Sequence, residues 1–232
     1  MNSANITEKS ALYSGKPQNA PGKKAALFSR IVLLFAIGSF LGYVIEVLYC
    51  LVVHGFFESK QAMVIGPFNQ IYGVGAVLID LCLRPLAKKG LGYVFVAGAI
   101  GGGLFEYTCS LLQEAVFKTR SWNFKNTILT IQGRTGLVYM IFWGILSVAC
   151  VRLVIPLFNR LMTRIPGRPA WFAATFMAVF FILNMALSAS VVFRWVDRQR
   201  GQPPSGKYEQ FLDRHYSDQK LDEIFSPMEL LE

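Results

Sequence analysis

Cysteine is scarce in this chain, four residues in 232. Cys50, Cys82, Cys109 and Cys150 show no C-x-x-C spacing, and each falls inside an apolar stretch. The pattern predicts neither a disulfide framework nor a zinc site, with the thiols acting as small apolar residues. A G-x-x-x-x-G-K-[ST] stretch is also missing, so the chain does not bind ATP in the P-loop manner. Negative charge is the minority, 14 Asp and Glu against 23 Lys and Arg. The net charge of +9 raises nucleic acid as a partner, yet the basic residues gather at the flanks of apolar segments, where membrane topology places them. No nucleic-acid partner is expected.

What the chain has in abundance is apolar length. At 53% hydrophobic residues and a mean hydropathy of +0.42 it is too apolar for a soluble domain of its size. Five spans are predicted, at 31–53, 62–83, 91–117, 136–156 and 169–193, forming an all-α polytopic transmembrane helical bundle. The first is too long for a signal-peptide core, and no small-x-small cleavage site follows it. Residues 1–25, rich in Ser, Asn, Lys, Gly and Pro, are expected to be a mobile tail, 26–195 the membrane domain, and 196–232 a linker plus an amphipathic helix. That helix is placed at 208–225, with Tyr208, Phe211, Leu212 and His215 on its apolar face. Between the third and fourth spans, residues 118–135 are too polar to cross and too apolar for a free loop, which suits an interfacial or re-entrant segment. Basic residues before the first span and in the second-to-third and fourth-to-fifth connections place the N-terminus in the cytoplasm, in a cell (inner) membrane. Lys118, Arg120, Lys125, Arg134, Arg194, Arg198 and Arg200 stand against that orientation.

The polar residues inside the spans carry the functional reading. Gly98, Gly102, Glu106, Ser110 and Glu114 lie four apart and form one slowly winding stripe on the third span. The first span has Gly38, Gly42, Glu46 and Cys50 at the same spacing. Each glutamate falls about 15 residues past the start of its span, so at ~1.5 Å per residue both lie roughly 22 Å in, beyond the centre of a ~30 Å core. The glycines let helix backbones approach closely, because packing rather than hydrophobic expulsion joins helices in lipid. If the two copies are a real duplication, they are parallel repeats with a site at their interface.

Carboxylates at membrane depth are functional candidates by default. Two held close together share a proton or bracket a cation. Arg134, in Gln132-Gly133-Arg134 at the entrance to the fourth span, is the candidate bridge for Glu46 and Glu106. Gln70 and Tyr72 of the second span are placed on the same cavity, whereas Asp80 with Arg84, and Glu114 with Lys118, read as surface pairs. Asn184 and Ser188 read as glue between helices. The candidate substrate- or ion-binding set is therefore Glu46, Gln70, Tyr72, Glu106, Ser110, Glu114 and Arg134, with Gly38, Gly42, Gly98 and Gly102 in packing, no catalytic residue, no cofactor, and the metal open.

Glycine-spaced Glu46 with Tyr49-Cys50, Gly66-Pro67 with Ile71-Tyr72-Gly73, Glu106-Tyr107 with Ser110 and Glu114, Phe117 with Trp122, and Gly133-Arg134 together resemble the bacterial ABC-transporter type IV, or CmpB-like permease, family. The resemblance covers roughly residues 35–155 and leaves the fifth span and tail outside. Phe68-Asn69 stands where the family has a cysteine-proline pair, so no metal or thiol role is carried over to that loop. The resemblance implies a permease, which in this chain needs a separate ATPase subunit or coupling through the glutamates. Three functions compete: a transport component with an acidic site for a cation, proton or small charged solute; a non-catalytic membrane subunit or sensor; and an intramembrane enzyme on a lipid-linked substrate, with Arg134 clamping a phosphate. The lipid bilayer is an expected partner in all three, and a homo-oligomer is compatible with each.

Overall fold

The computed structural model describes residues 22–225 and 228–231. Five helical segments are long and apolar enough to cross a membrane, and together they make an all-α bundle. Helix α1 is Lys23–His54. The second span begins with α2, Gln70–Leu78, and continues through a π turn, Ile79–Leu83, and a 3-10 turn, Arg84–Lys88. Helix α3 is Leu91–Phe117. The fourth span joins α4, Leu137–Ala149, through a π turn, Cys150–Val154, to α5, Ile155–Arg164. Helix α6, Gly167–Gln199, is the fifth span. Two short helices, α7 (Lys207–His215) and α8 (Asp218–Ile224), close the chain.

The spans pair as two hairpins, α1 with α2 and α3 with α4, and α6 packs against α1. The hairpins repeat one another at their glycine contacts. Gly38, Gly42 and Glu46 recur 60 positions later as Gly98, Gly102 and Glu106; Tyr72, Gly73 and Pro85 recur 71 positions later as Trp143, Gly144 and Pro156. A Cβ on Gly38 would meet the Ala76 Cβ at 2.6 Å, and one on Gly98 would run into Ser147, the residue equivalent to Ala76. Added to Gly73 it would lie 2.8 Å from the Phe35 carbonyl oxygen, and added to Gly144, 2.9 Å from that of Phe95. Gly42 likewise faces the Tyr72 ring and Gly102 the Trp143 ring. Each hairpin is thus a pair of backbones brought together by glycines on both sides. Each second helix also carries its π turn just ahead of the proline, since proline supplies no N–H and its ring crowds the preceding turn.

Residues 1–21, which hold most of the expected N-terminal tail, lie outside the described residues; residues 23–25 already belong to α1. The second span starts at Gln70, later than the expected 62. Gly66 takes a left-handed backbone (φ 81°) and Pro67 follows it, so residues 61–69 stay non-helical. Asn184 and Ser188 of α6 satisfy the backbone this frees. The Ile65 N–H donates to Asn184 Oδ1 at 3.1 Å, Asn184 Nδ2 donates to the Ile65 carbonyl at 2.7 Å, and the Val64 N–H donates to Ser188 Oγ at 2.9 Å. The pair expected to join helices instead clasps an irregular segment, which is how non-helical backbone is tolerated at membrane depth.

Where α1 and α3 end, residues 118–136 form small sheets. Strand β1 is Thr119–Arg120, and β2 (Thr130–Ile131) pairs antiparallel with β3 (Thr135–Gly136). Strand β4, Glu229–Leu230, returns from the C-terminus to pair antiparallel with β1. The expected single helix over 208–225 is two helices, broken at Tyr216 and restarted by Ser217, whose side chain accepts from the Lys220 N–H. Its inward face also differs: Leu212 and Leu221 are buried against Val191, Trp195 and Val196 of α6, while Tyr208 and Phe211 stay exposed. Arg194 decides this by gripping Asp213 through two hydrogen bonds, at 2.8 and 2.9 Å, which turns that side of α7 inward.

Candidate functional site

Glu46 and Glu106 follow their glycine pairs by one turn and occupy equivalent places in the two hairpins. The Tyr72 hydroxyl donates to Glu46 Oε1. The Thr135 hydroxyl, at the entrance to α4, donates to Glu106 Oε2 at 2.8 Å. Among the described residues neither carboxylate has a salt bridge.

Arg134 does not bridge them. It is buried and turned toward the end of α3, where Nη2 donates to Glu114 Oε2 at 2.6 Å and Nη1 to Ser110 Oγ at 3.1 Å. Arg120 donates to the same Glu114 oxygen at 2.9 Å, so Glu114 serves two arginines rather than Lys118. The reason is local: Trp122 Nε1 donates to the Arg134 carbonyl at 2.9 Å, and Gln132, at positive φ, accepts from the Tyr107 hydroxyl at 2.8 Å. The hairpin β2–β3 is thereby held against the last turns of α3. Gln70 lies in the first turn of α2, away from the cavity beside Glu46.

That cavity, about 130 Å³, lies between α1, α2 and α4 and is lined by Glu46, Tyr49, Tyr72, Tyr139, Phe142 and Trp143. Trp143 stacks on Tyr72 with ring centroids 5.7 Å apart and planes 22° from parallel, and Phe105 meets it edge-on at 5.8 Å. Tyr49 and Phe142 form an edge-on pair at the mouth. Of the seven residues expected in the site, Glu46 and Tyr72 line this cavity; Ser110, Glu114 and Arg134 form a separate cluster; Glu106 stands between the two groups with Thr135.

Sequence reasoning missed Tyr139, Phe142 and Trp143, although the 71-residue recurrence of Tyr72-Gly73 as Trp143-Gly144 was a signal for the last of them. It also missed a buried ion pair near the start of α1. Arg30 Nε and Nη2 donate to the two oxygens of Asp80, both at 2.7 Å, and Nη1 donates to Asn159 Oδ1 at 2.7 Å. Arg84 joins at 3.2 Å as the secondary partner. Asp80 was expected at the surface but is 3% exposed.

Compared with known proteins, the chain matches the family described as Putative ABC-transporter type IV over residues 33–189. It belongs to that family. No curated protein and no solved structure matches it. The match reaches further than the sequence resemblance did and takes in α6 as far as residue 189, including Asn184 and Ser188. Family and spans together make this a transport-related, multi-pass membrane protein. Among the described residues no three His, Cys, Asp or Glu side chains converge as a metal site. What the ABC-transporter type IV chain offers instead is a single carboxylate, fixed by a tyrosine hydroxyl, in an aromatic cavity.

Proposed function

We propose that this protein is the membrane-embedded component of a transporter, sitting in the cell membrane with its N-terminus cytoplasmic, and that Glu46 is the carboxylate on which its cation or proton binds. The observation that carries the reading is Glu46 itself. One of its oxygens accepts from Tyr72, the other has no protein donor among the described residues, and the group lines a cavity in a span. A membrane-embedded carboxylate without a basic partner is neutralised by a proton or holds a cation, since an unpaired charge in low dielectric is costly. Glu106, at the equivalent place in the second hairpin, would make occupancy of one site sensitive to the other, which is a way to couple a proton to a second ion.

The orientation rests on the basic residues before the first span and in the second-to-third and fourth-to-fifth connections. Arg120, Arg134, Arg194 and Arg198, which had opposed it, are all bound to carboxylates of Glu114, Asp213 or Asp218. At the opposite face Arg30 and Arg84 are likewise bound, to Asp80, while Lys23, Lys24, Lys88, Lys89, Arg160, Arg164 and Arg168 have no salt bridge among the described residues. Energy would come from ion coupling or from a separate ATPase subunit. The enzyme reading loses its phosphate clamp, because Arg134 is committed to Glu114.

Reconstituted protein tests the proposal. Wild type should change its melting temperature with pH and with added cations, and should move protons or cations across liposomes; Glu46→Gln, which keeps shape, should assemble and lose both responses. A wild-type protein indifferent to pH from about 5 to 9 and to mono- and divalent cations would leave the carboxylates as scaffold only.

A further inference from the structure

The walls of the Glu46 cavity point to the kind of cation it takes. A small hard ion asks for several oxygen ligands in a tight shell, yet this cavity sets one carboxylate among Tyr49, Tyr72, Tyr139, Phe142 and Trp143. Aromatic faces attract cations through their quadrupole, and they do so best for weakly hydrated organic ammonium ions, whose own shell is easily lost. The indole of Trp143 is already fixed between the stacked Tyr72 and the edge of Phe105, so binding need not order it. The volume of about 130 Å³ is close to that of a cavity of ~150 Å³ that takes up benzene, which suits an ammonium carrying a few methyl groups. The mouth opens sideways between α1 and α4, where Ile45, Tyr49 and Phe142 are 45%, 40% and 50% exposed on the outer surface of the bundle.

We propose that this cavity binds the head of an alkylated ammonium ion, with Glu46 as counter-charge, Tyr72 holding that carboxylate in place, Tyr49, Tyr139 and Phe142 as the cation-π wall, and Trp143 as its rigid backing. The lateral mouth lets an apolar substituent extend into lipid. The proposal rests on the reading of Glu46 as a cation carboxylate and adds the chemical class.

The test uses the full-length protein in nanodiscs of phosphatidylglycerol, titrated calorimetrically with tetramethylammonium, choline, sodium, and 3,3-dimethylbutanol, the neutral isostere of choline. Tetramethylammonium and choline should bind, while sodium and the neutral alcohol should fall at least roughly tenfold short, a difference of ~1.4 kcal/mol. Glu46→Gln should weaken choline at least about tenfold, and Tyr49→Leu, at a half-exposed site that tolerates change, roughly three- to tenfold. Equal binding of choline and 3,3-dimethylbutanol by wild type, which needs no variant at all, would overturn the proposal, as would sodium binding as tightly as choline. Discs containing phosphatidylcholine separate two sources of the same chemistry: loss of the choline signal there identifies a lipid head group, and its persistence a soluble ion. If choline binds but liposomes show no flux, the transport reading falls and the ligand class stands. If sodium or protons move without any ammonium binding, transport stands and the ligand class falls.

Discussion

Tyr72 and Trp143 stack face to face, 5.7 Å between centroids, and they are the same position in two hairpins. Each ring lies over a glycine of its own hairpin partner, Gly42 for Tyr72 and Gly102 for Trp143. The contact therefore joins the repeats where they mirror one another, and only the tyrosine has a hydroxyl to give to a glutamate. Glu46 thus takes its hydroxyl from the helix partner within its own hairpin and Glu106 takes its from Thr135, and the cavity lies beside Glu46.

The glycine contacts predict a contrast within one helix. Gly98→Val should push α3 from α4 and cost about 1–3 kcal/mol as overpacking. Gly101→Ala, at a position with nothing within 4 Å, should be neutral or add up to ~1 kcal/mol by helix propensity. Unfolding in mixed micelles measures both, and equal losses would argue against close helix approach at Gly98.

Arg134→Ala should cost about 2 kcal/mol, a charge-assisted hydrogen bond, moderated because Glu114 is 34% exposed and keeps Arg120. In a double-mutant cycle it should couple to Glu114→Gln and be additive with Glu106→Gln. Coupling to Glu106 instead would restore a bridge to the intramembrane glutamates.

Asp80→Asn removes the counter-charge of Arg30 and one of its two acceptor oxygens, at a site where the carboxylate is 3% exposed. A loss on the order of 3–5 kcal/mol is expected, and Arg30→Gln in the same chain should recover part of it. Melting temperatures of the singles and the double decide this.

Acid should loosen the C-terminal helices. The Asp213 carboxyl is held below its ordinary value chiefly by its hydrogen bonds from Arg194, with Arg198 adding to it. A folded value below the unfolded one, about 3.9, means stability present above roughly pH 4 and lost as pH falls further. Hydrogen exchange in α7 and α8 should therefore rise below that pH, and Asp213→Asn should raise it already at neutral pH. Protection unchanged in Asp213→Asn would show that Leu212 and Leu221 dock these helices unaided.

Topology can be checked directly. A reporter fused after Pro85 should be cytoplasmic and one near Ser59 external, because the second span crosses between them. Finding both on one side would remove the second crossing.

The apolar runs by themselves determined five spans, because a helix in lipid must satisfy its own backbone and be long enough to cross, and both demands are local. The four-residue spacing of Gly38, Gly42 and Glu46 against Gly98, Gly102 and Glu106 was equally readable, since i and i+4 share a helix face wherever the helix goes. Which side chains meet across helices was not. Arg134 had Glu46, Glu106 and Glu114 as possible partners, and its pairing with Glu114 was decided by the β2–β3 hairpin and the Trp122 bond to its carbonyl. Arg30 and Asp80 are 50 positions apart and meet only because α1 and α2 pack as a hairpin. The aromatic wall around Glu46 is assembled from α1, α2 and α4, three segments whose order in the chain says nothing of their contact. Local periodicity acts within one helix and is written in the sequence, whereas ion pairs and cavities depend on the rotation and depth of one helix against another, which the glycine contacts, the irregular segment clasped by Asn184 and the folded-back C-terminus settle together.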